Sequence, residues 1–132
     1  MKKTTFPLIK LTPPRNMKKL IFTLFLSTSI FSQTEEDYKN TLDFISKAFN
    51  EQKSEAIFQK FSTSLQQNLQ AEELKKKLDS LHKDKGKMSS FELILKEEDL
   101  KNFLVEFENA SMLILINLSP EGKIKKFEIK DY

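Results

Sequence analysis

Residues 112–118 form the sequence Met-Leu-Ile-Leu-Ile-Asn-Leu, an almost wholly apolar stretch. An apolar run of this length, without alternation, predicts a strand that is buried on both faces inside a sheet. Asn117 is its polar exception. Because a buried amide needs hydrogen-bond partners, Asn117 is either a polar group in a pocket or a residue at the end of the strand.

Three further strands are predicted on either side of this run, at residues 91–96, 103–108 and 124–129. The first two alternate apolar and polar residues, which is the period of a half-buried strand. The last strand carries several lysines, which are typical of a guarded sheet edge. The connections at residues 97–99 and 119–122 are short, and the second contains Pro and Gly. Short connections between sequential strands favour an antiparallel meander.

Three helices are predicted before the strands. The first begins after Thr34, with acidic residues in its first turn, and runs to about Asn50. The second begins with Ser54 as its cap, while Ser62-Thr63-Ser64 leaves its far end open. The third carries Glu-to-Lys pairs at i, i+4 and ends before Gly86. The apolar stripes are Tyr38, Leu42, Ile45 and Phe49; Ile57, Phe58, Phe61 and Leu65; and Leu74, Leu78 and Leu81; the pairs are Glu72–Lys76 and Glu73–Lys77.

Helices grouped before strands indicate an α+β domain, with three N-terminal helices packed on one face of a four-stranded antiparallel meander sheet. The 100 residues from 33 to 132 suit one domain of ordinary size. We therefore expect residues 33–132 to form a single α+β domain.

Residues 17–32 have the pattern of a secretory signal peptide. Lys18 and Lys19 precede an apolar run at residues 20–31, and Ser32 offers a small residue for cleavage. The run has 12 residues, whereas a membrane-spanning helix needs about 20. An uncleaved hydrophobic anchor or a buried helix is the alternative. We expect cleavage after Ser32, a periplasmic or extracellular location, and residues 1–16 as an unstructured upstream extension before a start at Met17.

The basic charge of the chain is concentrated in its N-terminal region. Of 22 Lys and Arg, six precede Gln33, where no acidic residue occurs, so residues 33–132 carry 16 basic and 19 acidic residues, a net charge of −3. This balance argues against nucleic acid as a partner. The absence of cysteine excludes disulfides and a lipid-modified cysteine anchor. We expect no stable membrane anchor after signal cleavage.

The order of elements resembles the nuclear-transport-factor-2-like superfamily, which is cystatin-like in fold. More narrowly, the chain is similar to the small uncharacterised domain often found ahead of secreted bacterial serine hydrolases. The matching features are Phe44, Ala48 and Phe49, residues 57–61, Leu74 and Leu78 before Gly86, residues 103–108, and residues 122–124. The resemblance implies a cone-shaped roll, in which a sheet wraps around a helix and encloses an apolar pocket. It also implies a homodimer formed through the open sheet face.

Six residues are candidates for the lining of an apolar cavity, because such pockets are commonly built from aromatic side chains with a few polar groups. They are Phe49, Phe61, Phe91, Phe103, Phe107 and Asn117. Ordinary core packing is the alternative for the phenylalanines, since periodicity does not distinguish a filled interior from a hollow one.

Few residues in the mature chain suit catalysis. His82 is the only histidine, and we expect it to be a solvated residue at a helix end. The resemblance to superfamily isomerases, which use a cavity carboxylate beside a tyrosine, makes Tyr38 and Asp43 a candidate pair, but five residues on a helix place them about 140° apart. Glu106 and Glu108 share a strand face, either as an acid/base pair or as partners of lysines such as Lys125 or Lys126. We expect no catalytic residue, cofactor or metal.

The leading functional hypothesis is an exported, non-catalytic domain that binds an apolar small ligand or a protein partner. The first alternative, from the resemblance, is a detached accessory domain of a secreted serine hydrolase that positions or presents a neighbouring protein. The second is an isomerase or hydrolase of the same cone fold.

Overall fold

The computed structural model describes residues 33–97 and 100–132. The predicted upstream extension at residues 1–16 and the predicted signal peptide at residues 17–32 lie outside the described residues. The described elements are α1 (Glu35–Asn50), α2 (Ser54–Gln59), α3 (Thr63–Asn68), α4 (Ala71–Lys85), β1 (Met88–Glu97), β2 (Leu100–Phe107), β3 (Ser111–Leu118) and β4 (Ile124–Asp131). The α+β class is confirmed, since the helices precede an antiparallel sheet of four strands.

Helix α1 begins with a capping box. The Thr34 hydroxyl accepts a hydrogen bond from the Asp37 amide at 3.2 Å, and the Asp37 carboxylate accepts one from the Thr34 amide at 2.9 Å. These two bonds satisfy backbone donors that a helix start leaves free. The predicted apolar stripe is buried, at Tyr38, Leu42, Ile45, Ala48 and Phe49.

The predicted second helix is present, but it ends at Gln59, and a separate six-residue helix follows it, so the described residues contain four helices where three are predicted. Ser54 is the first residue of α2 and not its cap, and the side chain of Lys53 at the cap position makes no capping hydrogen bond to the helix. The helix is interrupted at Phe61 and Ser62. The Ser62 hydroxyl accepts a hydrogen bond from the Leu65 amide at 3.2 Å and so starts α3. A local serine cap therefore competes with continued helix at this point.

Helix α4 has the predicted amphipathic pattern, with Leu74 and Leu78 buried, and it ends at Gly86. The ion pair observed on this helix joins the Lys75 ammonium to the Asp79 carboxylate at 2.7 Å. The sequence predicts other pairs, Glu72–Lys76 and Glu73–Lys77. The observed pair is an exposed i, i+4 pair, a type that contributes little to stability.

The sheet order is β1-β2-β3-β4 with antiparallel neighbours, which confirms the meander. The predicted alternation of β1 is broken by a bulge between Leu93 and Leu95. A bulge adds one residue and reverses which face the following side chains take. As a result Leu95, which the alternation predicts to face inward, is 49% exposed, and Ile94 is exposed beside it at 45%.

The two faces of the sheet differ in what covers them. Inner-face residues such as Phe103, Ile114 and Ile116 are fully buried in one core with α1, α2 and α4. On the outer face, Leu115 is buried at 5% exposure but does not belong to that core. The interior position of β3, with both faces buried, agrees with its sequence.

Candidate functional site

A groove of about 660 Å³ lies between helix α4 and strand β4, and we call it the α4–β4 groove. A volume of this size is typical of small-molecule sites. Its apolar lining residues are Leu69, Leu74, Leu78, Leu81, Met112, Phe127 and Ile129. Its polar lining residues are Lys76, Lys77, Ser80, Asp84 and Glu128.

The groove is built by two periodic patterns that face each other. On α4 the helical stripe turns Leu74, Leu78 and Leu81 toward the sheet. On β4 the two-residue period turns Phe127 and Ile129 to the same side. These two side chains stand opposite Ile116 and Ile114 of β3, which are core residues.

The apolar surface that a ligand could cover comes from the half-buried members of the lining. Leu74, Leu78 and Met112 are already buried, at 1, 5 and 6% exposure. Leu69, Leu81, Phe127 and Ile129 are only partly buried. A ligand in the groove would therefore complete the burial of these four side chains, which favours binding through the hydrophobic effect.

The rim of the groove carries charges of both signs. Lys76, Lys77, Asp84 and Glu128 are exposed and line the groove. A mixed rim with an apolar floor suits a ligand that has an apolar body and a polar end.

Two smaller grooves lie elsewhere on the surface. One of about 520 Å³ is lined mainly by polar residues from Gln59 to Gln66 and from Ser119 to Lys125. The other, of about 540 Å³, lies beside α2 and the start of α4. Neither has the apolar floor of the α4–β4 groove.

The five phenylalanines that were candidates for cavity lining lie in or against the core. Phe49 packs edge-on against Phe107 at 5.5 Å between ring centroids, and Phe91 packs in the same way against Phe103 at 6.1 Å. The ring centroid of Phe61 lies 5.6 Å from that of Phe127. Among the three grooves described above, only the 520 Å³ groove is lined by one of them, Phe61.

Asn117, the sixth candidate, is buried at 6% exposure near the end of β3. It pairs with Lys126 of β4, next to a bulge between Asn117 and Leu118. It does not line any of the three grooves. The structure therefore places Asn117 on the outer face of the sheet, away from the α4–β4 groove.

His82 is partly buried, so the expectation of a solvated histidine is wrong. The centroid of its ring lies 5.3 Å from that of Phe49, and its buried Nε2 atom has no hydrogen-bond partner in the part of the chain that the structure describes. The reason is the helical geometry of α4, which directs this position toward the end of α1.

Tyr38 and Asp43 are not brought together. Tyr38 is buried, and its hydroxyl accepts a hydrogen bond from the Leu118 amide at 3.0 Å, whereas Asp43 is exposed. This agrees with the angle predicted from helical spacing.

Glu106 and Glu108 serve different partners. Glu106 accepts a hydrogen bond from the Ser111 hydroxyl at 2.6 Å, and Glu108 accepts one from the Lys87 amide at 2.8 Å. The predicted cross-strand partners, Lys125 and Lys126, do not contact either carboxylate. Each glutamate therefore accepts a structural hydrogen bond, Glu106 from the start of β3 and Glu108 from the segment between α4 and β1.

The two described side chains whose pKa is shifted, Glu35 and Lys75, do not line the α4–β4 groove. Hydrogen bonding and charge from Lys96 lower the pKa of Glu35, and Asp79 raises the pKa of Lys75 in the same two ways. In the part of the chain that the structure describes, no three His, Asp or Glu side chains gather as metal ligands.

Comparison with known protein families, curated proteins and solved structures finds no match to this chain. No helix within residues 33–97 and 100–132 is long and apolar enough to cross a membrane.

The apolar residues of α4 and β4 that line the groove follow the helical and strand periods of the sequence, but the sequence does not predict a site there. The stripe of α4 and the alternation of β4 identify which side chains face inward. They do not reveal that these two elements leave a gap between them, and the aromatic residues are therefore the ones that the sequence predicts to line a cavity.

Proposed function

We propose that this chain is an exported, non-catalytic domain that binds an apolar small ligand in the α4–β4 groove. The observation that carries the proposal is the groove itself, whose partly buried leucine, phenylalanine and isoleucine side chains have apolar surface left to cover. The mixed-charge rim would meet the polar end of such a ligand. The pattern of residues 17–32 supports export.

We further propose that the domain is a cystatin-like, cone-shaped roll of the nuclear-transport-factor-2-like kind. The support is an antiparallel four-stranded sheet with helices on one face, together with the sequence resemblance. Dimerisation through the outer sheet face belongs to the same proposal.

Native mass spectrometry of the protein exported from a bacterial host tests the first proposal. A denatured sample run beside it should have the mass of a chain that begins at Gln33. Extra mass that is present in the native sample and lost on denaturation would identify a bound ligand. A native mass equal to a whole number of bare chains would count against a resident ligand.

A matched pair of variants locates the binding site. Lys77 and Lys83 are both exposed on α4, but only Lys77 lines the groove. Lys77→Trp should fill the groove and weaken binding of anilinonaphthalene sulfonate by about tenfold or more. Lys83→Trp makes the same change of charge and should leave binding unchanged. Equal effects of the two variants would contradict the assignment of the site.

A second candidate function is the presentation of a neighbouring protein, as in the accessory domains that the sequence resembles. The observation that favours it is the edge of β4 beside the α4–β4 groove, since no other described strand pairs with that edge along residues 126–130.

A further inference from the structure

Strand β4 is an edge of the sheet, and one end of it already accepts an added strand from this chain. The Ser62 amide donates to the Ile124 carbonyl at 2.8 Å, and the Ile124 amide donates to the Lys60 carbonyl at 2.8 Å. These two bonds form a short parallel bridge between Phe61 and Ile124. At Ile124 the outward backbone groups of β4 are therefore already paired with an extended segment.

Beyond Ile124, no strand within residues 33–97 and 100–132 pairs with the outer side of this edge. Among the described residues, no backbone hydrogen bond joins residues 126–130 to any element other than β3. We call residues 126–130 the β4 edge. An edge strand points alternate N–H and C=O groups away from the sheet, where they can pair with another chain.

The β4 edge forms one wall of the α4–β4 groove, through Phe127, Glu128 and Ile129. A strand added here would direct every second side chain to the inner side, beside Phe127 and Ile129. The other side chains would lie on the outer side, where the exposed Lys126 and Lys130 flank Glu128. Such a strand should alternate apolar with acidic residues.

Resting on the proposed function of the same groove, we propose that the β4 edge and the α4–β4 groove together bind an extended peptide segment of a partner protein by strand addition. The segment has apolar residues at alternate positions and acidic residues between them. Backbone hydrogen bonds would supply affinity, and the groove would select the apolar side chains.

Charge favours this occupant over a second copy of the same edge. Pairing two β4 strands would bring Lys125, Lys126 and Lys130 of one chain against the same lysines of the other, and like charges across strands destabilise pairing. The opposite edge of the sheet, β1, has a bulge between Leu93 and Leu95, which disrupts strand addition, whereas the bulge of β4, at Lys125, lies outside residues 126–130.

The test is a titration of the ¹⁵N-labelled full chain, purified from a bacterial host, with a short acetylated peptide in which Glu and Val alternate. We expect amide shifts and slower hydrogen exchange at residues 126–130. Two singly N-methylated versions, modified at the central residue or at its neighbour, preserve the side chains but remove one backbone donor each. One of the two should bind about tenfold or more weakly, because only one of these donors faces β4. Equal binding of both versions and the parent peptide would overturn strand addition.

A charge variant adds an independent readout. Lys126→Glu should weaken binding of the acidic peptide several-fold, whereas Lys39→Glu, an exposed residue on α1 with the same change of charge, should not. Equal loss in both variants would overturn the assignment of the peptide to the β4 edge.

Anilinonaphthalene sulfonate separates this inference from the function proposed above. If the dye binds in a manner sensitive to Lys77→Trp and the peptide does not bind, strand addition is overturned and the small-ligand function stands. If neither probe binds, both proposals are overturned.

Discussion

Gly86 joins the end of α4 to the start of β1 with a φ of +84° and a ψ of −161°. This region of backbone conformation is essentially limited to glycine. A β-carbon added here would also lie 2.5 Å from Oε1 and 2.8 Å from Cβ of Glu108. The Glu108 carboxylate is held in place by the Lys87 amide, so it is not free to move away without loss of a hydrogen bond.

We therefore expect Gly86→Ala to lower the free energy of unfolding by about 1–3 kcal/mol. Gly122→Ala is the matched control, because Gly122 has a φ of +85° but no atom within 4 Å of an added β-carbon. Chemical denaturation measures both variants. A loss for Gly86→Ala that is no larger than that for Gly122→Ala would show that the contact with Glu108 is unimportant.

Glu35 and Lys96 form an exposed ion pair between the first turn of α1 and the end of β1. The Lys96 ammonium stabilises the ionised carboxylate and lowers the pKa of Glu35 below its ordinary value, with smaller contributions from Lys39 and Lys101. The folded state therefore gains stability above the ordinary pKa of a glutamate. This gain is lost as the pH falls through the lowered, folded-state pKa.

Lys96→Met should raise the pKa of Glu35, and an NMR titration of its carboxyl group measures the change. Lys39→Met should raise that pKa by less, because Lys39 acts through its charge alone and makes no hydrogen bond to the Glu35 carboxylate. High salt should reduce the difference between the variants by screening. A pKa that is the same with and without Lys96 would contradict this ion pair.

At the level of elements, the side chain of Asn50 connects α1 to β1. Its Nδ2 atom donates to the Met88 carbonyl at 3.0 Å, and its Oδ1 atom accepts from the Met88 amide at 2.8 Å. Met88 is the first residue of β1 and is buried, so its backbone groups need partners. The last residue of the first helix thus sets where the first strand begins.

Asn50→Ala should cost about 1–3 kcal/mol of unfolding free energy, because it leaves buried backbone groups without partners. Asn50→Asp retains an acceptor but loses the donor, and it should also be destabilising. Asn40→Ala, an exposed asparagine of the same helix, is the control and should change stability by less than about 0.5 kcal/mol. Thermal or urea unfolding that fails to distinguish Asn50→Ala from Asn40→Ala would exclude a structural role for Asn50.

For the domain as a whole, a single core joins α1, α2, α4 and the four strands. Because these elements bury their apolar side chains against one another, we expect them to unfold together in one transition. Tyr38 is buried and reports on the packing of α1 against β3, while far-UV circular dichroism reports on helices and strands.

Coincident urea transitions by tyrosine fluorescence and circular dichroism would agree with this expectation. Tyr132 is 74% exposed, so the Tyr132→Phe variant removes its signal without disturbing the core. Separate midpoints in that variant would show that the α1–β3 packing and the secondary structure are lost in different transitions, which would contradict a single transition.

Local sequence patterns identified the class of fold and most of its elements. The capping residues around Thr34, the stop at Gly86 and the apolar run at residues 112–118 act on their immediate neighbours, and each element appears as predicted. The phenylalanines were correctly identified as inward-facing residues, since periodicity indicates direction.

The remaining features depend on residues that are distant in the chain. The break after α2 is joined to Ile124 of β4 by backbone hydrogen bonds, and the reversal of side chains in β1 depends on its register with β2. The α4–β4 groove depends on how far apart two packed elements lie. The periodicity of α4 and β4 determined which of their faces are apolar, but only the tertiary structure decided that a gap remains between them, because that distance is set by the packing of the whole core.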